Sequence, residues 1–442
     1  MRLRSSNRRR FALFTIGAVL ALLLGAILLT AGGRDPSRAT ADTEPPGLDL
    51  IQPDPVGSYR DPVTLRGVAA GAERVSVGEQ STQPGPDGAF ELRLSQRPVN
   101  ATVVAVDHAG NQTTRPLTVN FALPRLRAVH VTAYGWAYEG LREPVLDLAR
   151  QGLIDTVQLD IKDEDGVVGY DSQVPLARES GAATTIYDAR AALTQLHDMG
   201  IRVVGRIVAF RDPTMATWAW HNGRPDWVLQ NPSGAPYSSH YGPVAFTNFA
   251  NPEIRAYNID LAVEAAKLGF DSIMYDYIRR PDGSLSSMIF PGLTETPSES
   301  IAGFLRDSRD PVHAAGASVS AAVFGIAATR PDEIAQDIPA MARQVDYLAP
   351  MLYPSHWNSG EYDVASPNSQ PYDIIFRSLQ DFRARVEGTG ATIVPWLQDF
   401  SLGVSYGDAQ VRAQIDATRD AGYDGFVLWN PGSTYHGGAL RN

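Results

Sequence analysis

The chain has no cysteine among its 442 residues. Disulfides and thiolate metal sites are therefore excluded, while the compartment stays open, since exported proteins also do without cysteine. An excess of positive charge is lacking too. The formal net charge is −11, and five of the 38 basic residues (Arg2, Arg4, Arg8, Arg9 and Arg10) fall in the first ten positions. The remainder sets 33 basic against 49 acidic side chains, with no basic stripe interleaved with aromatics. Such a body is a poor candidate for nucleic acid or anionic lipid surfaces. The histidines lack metal-ligand spacing. The stretch DEDG at 163–166 lacks the other ligands of a calcium loop and reads as a turn. No metal and no cofactor is expected. Tryptophan is absent before residue 135; all seven follow it.

One long apolar run is present. Residues 11–31, FALFTIGAVLALLLGAILLTA, carry no charge. That length suits a bilayer-spanning helix and exceeds a usual signal-peptide core. The basic segment 1–10 before it should stay in the cytoplasm and send the rest outside. We expect an uncleaved transmembrane signal anchor, with cleavage near Ala31 as the alternative; either way the body is exported. Residues 32–48 have linker composition. Residues 49–121 then alternate short β-branched runs with turn signals such as Pro86-Asp87-Gly88 and Ala109-Gly110-Asn111, which points to a small β-sandwich. The stretches VTLRGVA, VSVG, PDGAFELRL and ATVVAVDHAGNQTTRPLTV, in that order, resemble bacterial immunoglobulin-like domains. No catalytic constellation lies among them, so the expected role is a spacer or binding module.

From residue 125 to 442 apolar strands alternate with amphipathic helices. Glycine follows a helical run and precedes a strand five times, at Gly152, Gly200, Gly269, Gly316 and Gly422, where a left-handed residue ends the helix. Eight strand-like stretches begin at about residues 128, 156, 202, 272, 318, 346, 392 and 425. Eight such units fit a (β/α)8 barrel of the α/β class. A doubly wound open sheet is the alternative, weakened by the lack of a glycine-rich phosphate loop after the first strand.

Barrel sites lie at the C-terminal ends of strands. In TVQLDIK, alternation puts Val157, Leu159 and Ile161 on one face and Gln158, Asp160 and Lys162 on the other. With Val204, Arg206 and Val208, then Met274, Asp276 and Ile278, on the interior phase, three consecutive strands would bring Asp160, Lys162, Arg206 and Asp276 together. A buried ion network that merely holds the barrel would use the same residues. Four tryptophans, Trp396 and Trp429 among them, fall on or just beyond strand ends, where indole could stack on sugar rings. The segment 211–250 is too long for an ordinary connection and should shape a cleft.

The stretches QLDIKDEDG, RVVGRIVAFRDP, NPEIRAYNIDLAVEAAKLGFDSIMYDYIRRP, SAAVFG, APMLYPSHW, PWLQDF and GFVLWNP resemble the glycoside hydrolase domain family of exported bacterial proteins, barrels distantly similar to alpha-amylase-like hydrolases. The resemblance implies that Asp276 occupies the fourth-strand nucleophile position. It also implies that Asp160, Lys162, Arg206, Tyr353, His356, Gln398, Asp399 and Asn430 belong to the site region. Two positions depart from the family pattern: Arg280 replaces a usual Phe, and Ala322 a usual fifth-strand Asp. The expected function is a membrane-anchored extracytoplasmic hydrolase of a polysaccharide or cell-envelope glycan. Asp276 would act as nucleophile or base and Asp160 or Asp399 as acid, while Lys162 and Arg206 keep Asp276 ionised. The alternative is a catalytically impaired carbohydrate-binding surface protein, which the loss of a carboxylate at Ala322 favours.

Overall fold

A computed structural model describes residues 42–441. The expected anchor, residues 11–31, and most of the linker lie outside the described residues. Among the described residues no helix is long and apolar enough to cross a membrane. Pro45–Asn442 make up one compact unit, which holds both the β-sheet region and the barrel.

Residues 49–117 form two antiparallel sheets. One holds β1 (Asp49–Ile51), β2 (Val63–Val68) and β5 (Ala89–Leu94); the other holds β3 (Arg74–Val77), β4 (Gln80–Thr82), β6 (Ala101–Val106) and β7 (Gln112–Leu117). Alternate residues are buried along β5, so Phe90, Leu92 and Leu94 join Leu65, Val75 and Val103 in one small core. Gly88 and Gly110, in the two predicted turns, have positive φ, which glycine adopts without steric cost.

The rest is a closed parallel barrel. Its strands are β8 (Arg127–Val131), β9 (Thr156–Lys162), β10 (Arg202–Val208), β11 (Ser272–Asp276), β12 (Ser318–Phe324), β13 (Tyr347–Met351), β14 (Thr392–Ile393), β15 (Trp396–Gln398) and β16 (Phe426–Trp429). β14 and β15 are two pieces of one strand, interrupted next to Pro395, which has no N–H for the ladder. Eight strand positions therefore close the ring, with β12 paired to β13 and β16 to β8. That closure rules out the open-sheet alternative. All five predicted helix-ending glycines have positive φ. The helix Pro252–Leu268 begins as its sequence indicates: Asn251 accepts hydrogen bonds from the backbone of Glu253 and Ile254, and Pro252 opens the first turn.

Apolar side chains divide into a layer between strands and helices and a smaller set that includes Ala128, Val204, Met274, Ala322 and Val427. One irregularity in this pattern matters for the site. On β9, Asp160 pairs with Arg206 of β10, but the next pair is Lys162 with Ile207. Ile161 is the extra residue of a bulge, which reverses the phase of the residues after it. Gly205 leaves room for it, since a Cβ there would lie 2.3 Å from Ile161 Cδ1.

The β-sheet region meets the barrel through a loop. Tyr59 is buried; its hydroxyl donates to Asp346 Oδ1 at 2.8 Å and its ring stacks on His313 at 3.9 Å. Arg60 Nη2 donates to the carbonyls of Ala266, at 2.5 Å, and Phe270, at 3.0 Å. These lie at the end of the helix Pro252–Leu268, where a cation is favoured.

Candidate active site

Asp276 ends β11. Its Oδ2 accepts from Arg206 Nε at 2.9 Å and Nη2 at 2.7 Å, and its Oδ1 accepts from the Tyr277 backbone N–H at 2.7 Å. Tyr277 has φ 49°, a left-handed conformation that bulky residues rarely adopt. That turn brings its N–H onto Asp276 and its ring into the cavity. Tyr277 therefore departs from the outward direction that strict alternation gives it. Tyr275 keeps to alternation, bonding Ser308 in the helix layer at 2.5 Å.

Arg206 is the centre of the site. Nη1 donates to Asp160 Oδ1 at 3.0 Å, and Nη2 donates to Glu164 Oε1 as well as to Asp276. Burial alone would lower its pKa, but Glu164, Asp160 and Asp276 hold it well above the ordinary value. Beneath it, Asp160 also meets His130 Nε2 at 2.9 Å. Burial pushes the Asp160 carboxyl up, and His130 and Arg206 more than offset this, so it stays ionised. Asp160 is buried and does not line the cavity. Its geometry is that of a residue that positions Arg206, not of an acid that reaches substrate.

Lys162 is a correction. The bulge turns it away from Asp276 and into the helix layer. There Nζ, 0% exposed, donates to Asp212 Oδ2 at 2.6 Å, Asn258 Oδ1 at 2.9 Å and the Ala209 carbonyl at 3.2 Å. It cannot bind substrate or ionise Asp276 from that position. Asp399 is also turned away: its carboxylate is buried against the Nδ1 and backbone N–H of His436, and burial raises its pKa. Gln398 accepts from Ser355 N and donates to the Phe400 carbonyl, and Asn430 donates to the Asp399 carbonyl. These three shape loops and do not line the cavity.

The cavity at the C-terminal ends of the strands has a volume of about 300 Å³. Asp276, Glu164 and Arg206 lie in its wall with Tyr353, His356, Trp357, Trp396 and Trp429. Trp429 stacks on Tyr353 with ring centres 5.2 Å apart. Trp396 is only 1% exposed, so it is a packed wall rather than a free platform. Burial lowers the pKa of His356. The third-loop pair Trp218 and Trp227 flanks Arg224 away from the cavity, whereas Tyr241 of the same loop does line it.

Glu164 is the residue that sequence reasoning misses, because DEDG reads only as a turn. Its signal is position: it lies two residues beyond the C-terminal end of the barrel strand Thr156–Lys162. Its side chain is 34% exposed. Glu164 and Asp276 bond to the same nitrogen, so their nearest oxygens lie at most about 6 Å apart, twice an N–H···O length.

A family model described as "Putative glycosyl hydrolase domain" matches residues 128–435. The chain belongs to this family. The matched residues are those of the barrel. No curated protein matches the chain. Among solved structures it is similar to a hypothetical protein from Ruminiclostridium thermocellum ATCC 27405, at 31% identity over 44% of this chain and 96% of that one, with a TM-score of 0.39. It is also similar to the PgaB (BpsB) glycoside hydrolase domain from Bordetella bronchiseptica. There the identity is 15% over 70% of this chain and 95% of that one, with a TM-score of 0.52, a likeness of fold. Ala322 of β12 packs with the apolar set around Met274 and Val204, so this residue brings no carboxylate to the site.

Proposed function

We propose that the barrel hydrolyses a polysaccharide or cell-envelope glycan with retention of anomeric configuration. The observation that carries this reading is the pair Asp276 and Glu164, which share Arg206 in a ring-lined cavity. Retaining enzymes hold their carboxyl groups about 5–5.5 Å apart, inverting ones about 6.5–9.5 Å. Asp276 attacks the anomeric carbon, and the glycosidic C–O bond breaks as the leaving oxygen takes a proton from Glu164. Water then gives a proton back to Glu164 and cleaves the glycosyl–Asp276 ester.

In the free site burial raises the Glu164 pKa and Arg206 more than offsets this, so Glu164 rests ionised. A substrate that loosens the Glu164–Arg206 contact leaves burial dominant, and the carboxyl becomes an acid. The aromatic wall of Tyr353 and Trp429 would hold the sugar rings. Release of reducing ends from a glycan panel tests the proposal. Parent activity should fall by about two or more orders of magnitude in Glu164→Gln, and unchanged activity in that variant would remove Glu164 from the mechanism.

The proposal extends to place. Residues 11–31 would anchor the protein by a single membrane pass, with an immunoglobulin-like sandwich at 49–121 and the barrel outside the cytoplasm. The support is the uncharged run and the five arginines before it. A second reading, a binding protein without turnover, is favoured by Ala322; binding of a glycan with no release of reducing ends would establish it.

A further inference from the structure

The cavity is small for a polymer. At about 300 Å³ it lies at the lower end of ligand pockets, so a glycan chain seated in it must leave across the rim. Residues on or just after seven of the eight strand positions line it; among the described residues, β8 and the loop that follows it supply none. This gap in the wall is flanked by Glu164, after β9, and Trp429, on β16, the two strands that pair with β8.

The loop after β8 holds the short helix Ala133–Ala137. Thr132 caps it, its hydroxyl accepting from the Gly135 N–H at 2.9 Å. Two neighbouring loops grip it. A Cβ on Gly135 would lie 2.9 Å from Ser433 Oγ, in the loop after β16, and one on Gly169, in the loop after β9, would lie 2.6 Å from Ala133 Cβ. Ala133, Gly135 and Trp136 are buried in this seat. Tyr134 and Tyr138 are left to solvent, 62% and 66% exposed, more than any other large apolar side chain of the barrel. Four residues apart, they share one face of the turn, and the Tyr138 N–H donates to the Tyr134 carbonyl at 3.0 Å. Gly140 makes room for the second ring, since a Cβ there would lie 2.8 Å from Tyr138 Cε1.

Apolar side chains exposed singly need no explanation. Here a pair is held on a fixed turn at the gap in the cavity wall. Trp429 follows Leu428, which pairs with Val129, so it lies level with His130, four residues before Tyr134. The Cα atoms of Trp429 and Tyr134 are thus at most about 20 Å apart, a distance that a few sugar units span. Tyrosine suits such a place, because its ring can meet the apolar face of a pyranose while its hydroxyl stays in water.

We propose that Tyr134 and Tyr138 form a second sugar-binding surface, which holds the chain where it leaves the cavity, so that the barrel takes long β-linked pyranose chains in preference to short ones. β-Linked units extend and present flat apolar faces, whereas α-linked units curl away from a straight path over the rim. This rests on the hydrolase reading and deepens it by the length and linkage class of the substrate.

The test measures binding to protein carrying Asp276→Asn, so that no ligand is consumed. The probes are disaccharides and hexasaccharides of β-1,4-linked glucose, mannose and N-acetylglucosamine, with α-1,4-linked maltohexaose for comparison. The best-bound β-linked hexasaccharide should bind about tenfold or more tighter than its disaccharide. Adding Tyr134→Ala and Tyr138→Ala together should narrow that gap about fivefold or more with the melting temperature unchanged. Phenylalanine at both positions keeps the rings and should keep the gap. Failure of every hexasaccharide to bind, equal affinity for long and short chains, or a gap unmoved by the paired alanine changes overturns the proposal. Maltohexaose bound as tightly as the best β-linked chain overturns the linkage assignment. Release of reducing ends by the parent separates this from the underlying reading. Release together with a gap unmoved by the alanine changes sinks only the second surface; a gap that depends on the tyrosines, without release from any glycan, sinks only the hydrolase.

Discussion

The loop at Tyr59 should couple the two β-sheets to the barrel in a single unfolding transition. Tyr59→Phe removes only the hydroxyl, leaving Asp346 Oδ1 buried without that donor, while Oδ2 keeps His313 Nε2 and the Val319 N–H, each at 2.8 Å. An unsatisfied buried acceptor costs about 1–3 kcal/mol. Tyr59→Ala also removes the ring stacked on His313 and covered by Arg97 at 4.4 Å, for a total of about 3–5 kcal/mol, as for other buried aromatic truncations. Urea denaturation followed by tryptophan fluorescence reports the barrel alone, because every tryptophan lies after residue 135. The account predicts a lower midpoint by that probe for both variants, with an unchanged slope. A fluorescence midpoint equal to the parent's in Tyr59→Ala would refute the coupling. It would show the sheets to be a separate folding unit, which their separate apolar core alone suggests.

Three further outcomes are expected. Lys162→Met strands Asp212 in the helix layer and should cost about 3–5 kcal/mol of stability, while the folded fraction keeps the parent's kcat. Trp429→Ala should weaken glycan affinity by about 1–3 kcal/mol with little change in Tm, whereas Trp396→Ala should lower Tm because its ring is part of the packed wall; calorimetry and melting curves separate the two. Asp163 is pushed up to about 6, first by burial and further by Asp160 and Glu164. The folded value lies above the ordinary 3.8, so the native state holds the proton more tightly and stability falls as pH rises from about 4 to about 6. Asp163→Asn should abolish this loss and be more stable than the parent at pH 7 by about 1–2 kcal/mol, allowing for partial solvent screening.

Much of the framework could be read from local chemistry. The eight strand positions followed from apolar runs punctuated by helix-ending glycines, and the cap at Asn251 from its neighbours. Arg206 and Asp160 share the interior phase with Asp276 because β9, β10 and β11 keep register as far as Asp160, Arg206 and Met274. Lys162 was not legible, because one unpaired residue at Ile161 reverses alternation and composition does not mark a bulge. Glu164 was hidden by a turn-like sequence whose backbone does turn, while its side chain reaches Arg206. His130 stands alone in an apolar strand; the register pairs it with Gln158, and only the folded barrel brings its side chain to Asp160. The Tyr59 junction joins residues 287 positions apart in the chain, beyond any periodicity argument.

The most direct test of the account is Asp276→Asn, assayed for hydrolysis and for melting temperature on the same preparation. The change keeps shape and removes charge from a carboxylate bonded to Arg206 and the Tyr277 N–H. If Asp276 is the nucleophile, hydrolysis falls by about three or more orders of magnitude. Melting should change little, because Asp160 and Glu164 still neutralise Arg206. A large loss of stability, with the surviving molecules as active as the parent, would contradict the central claim and leave Asp276 as a structural counter-ion.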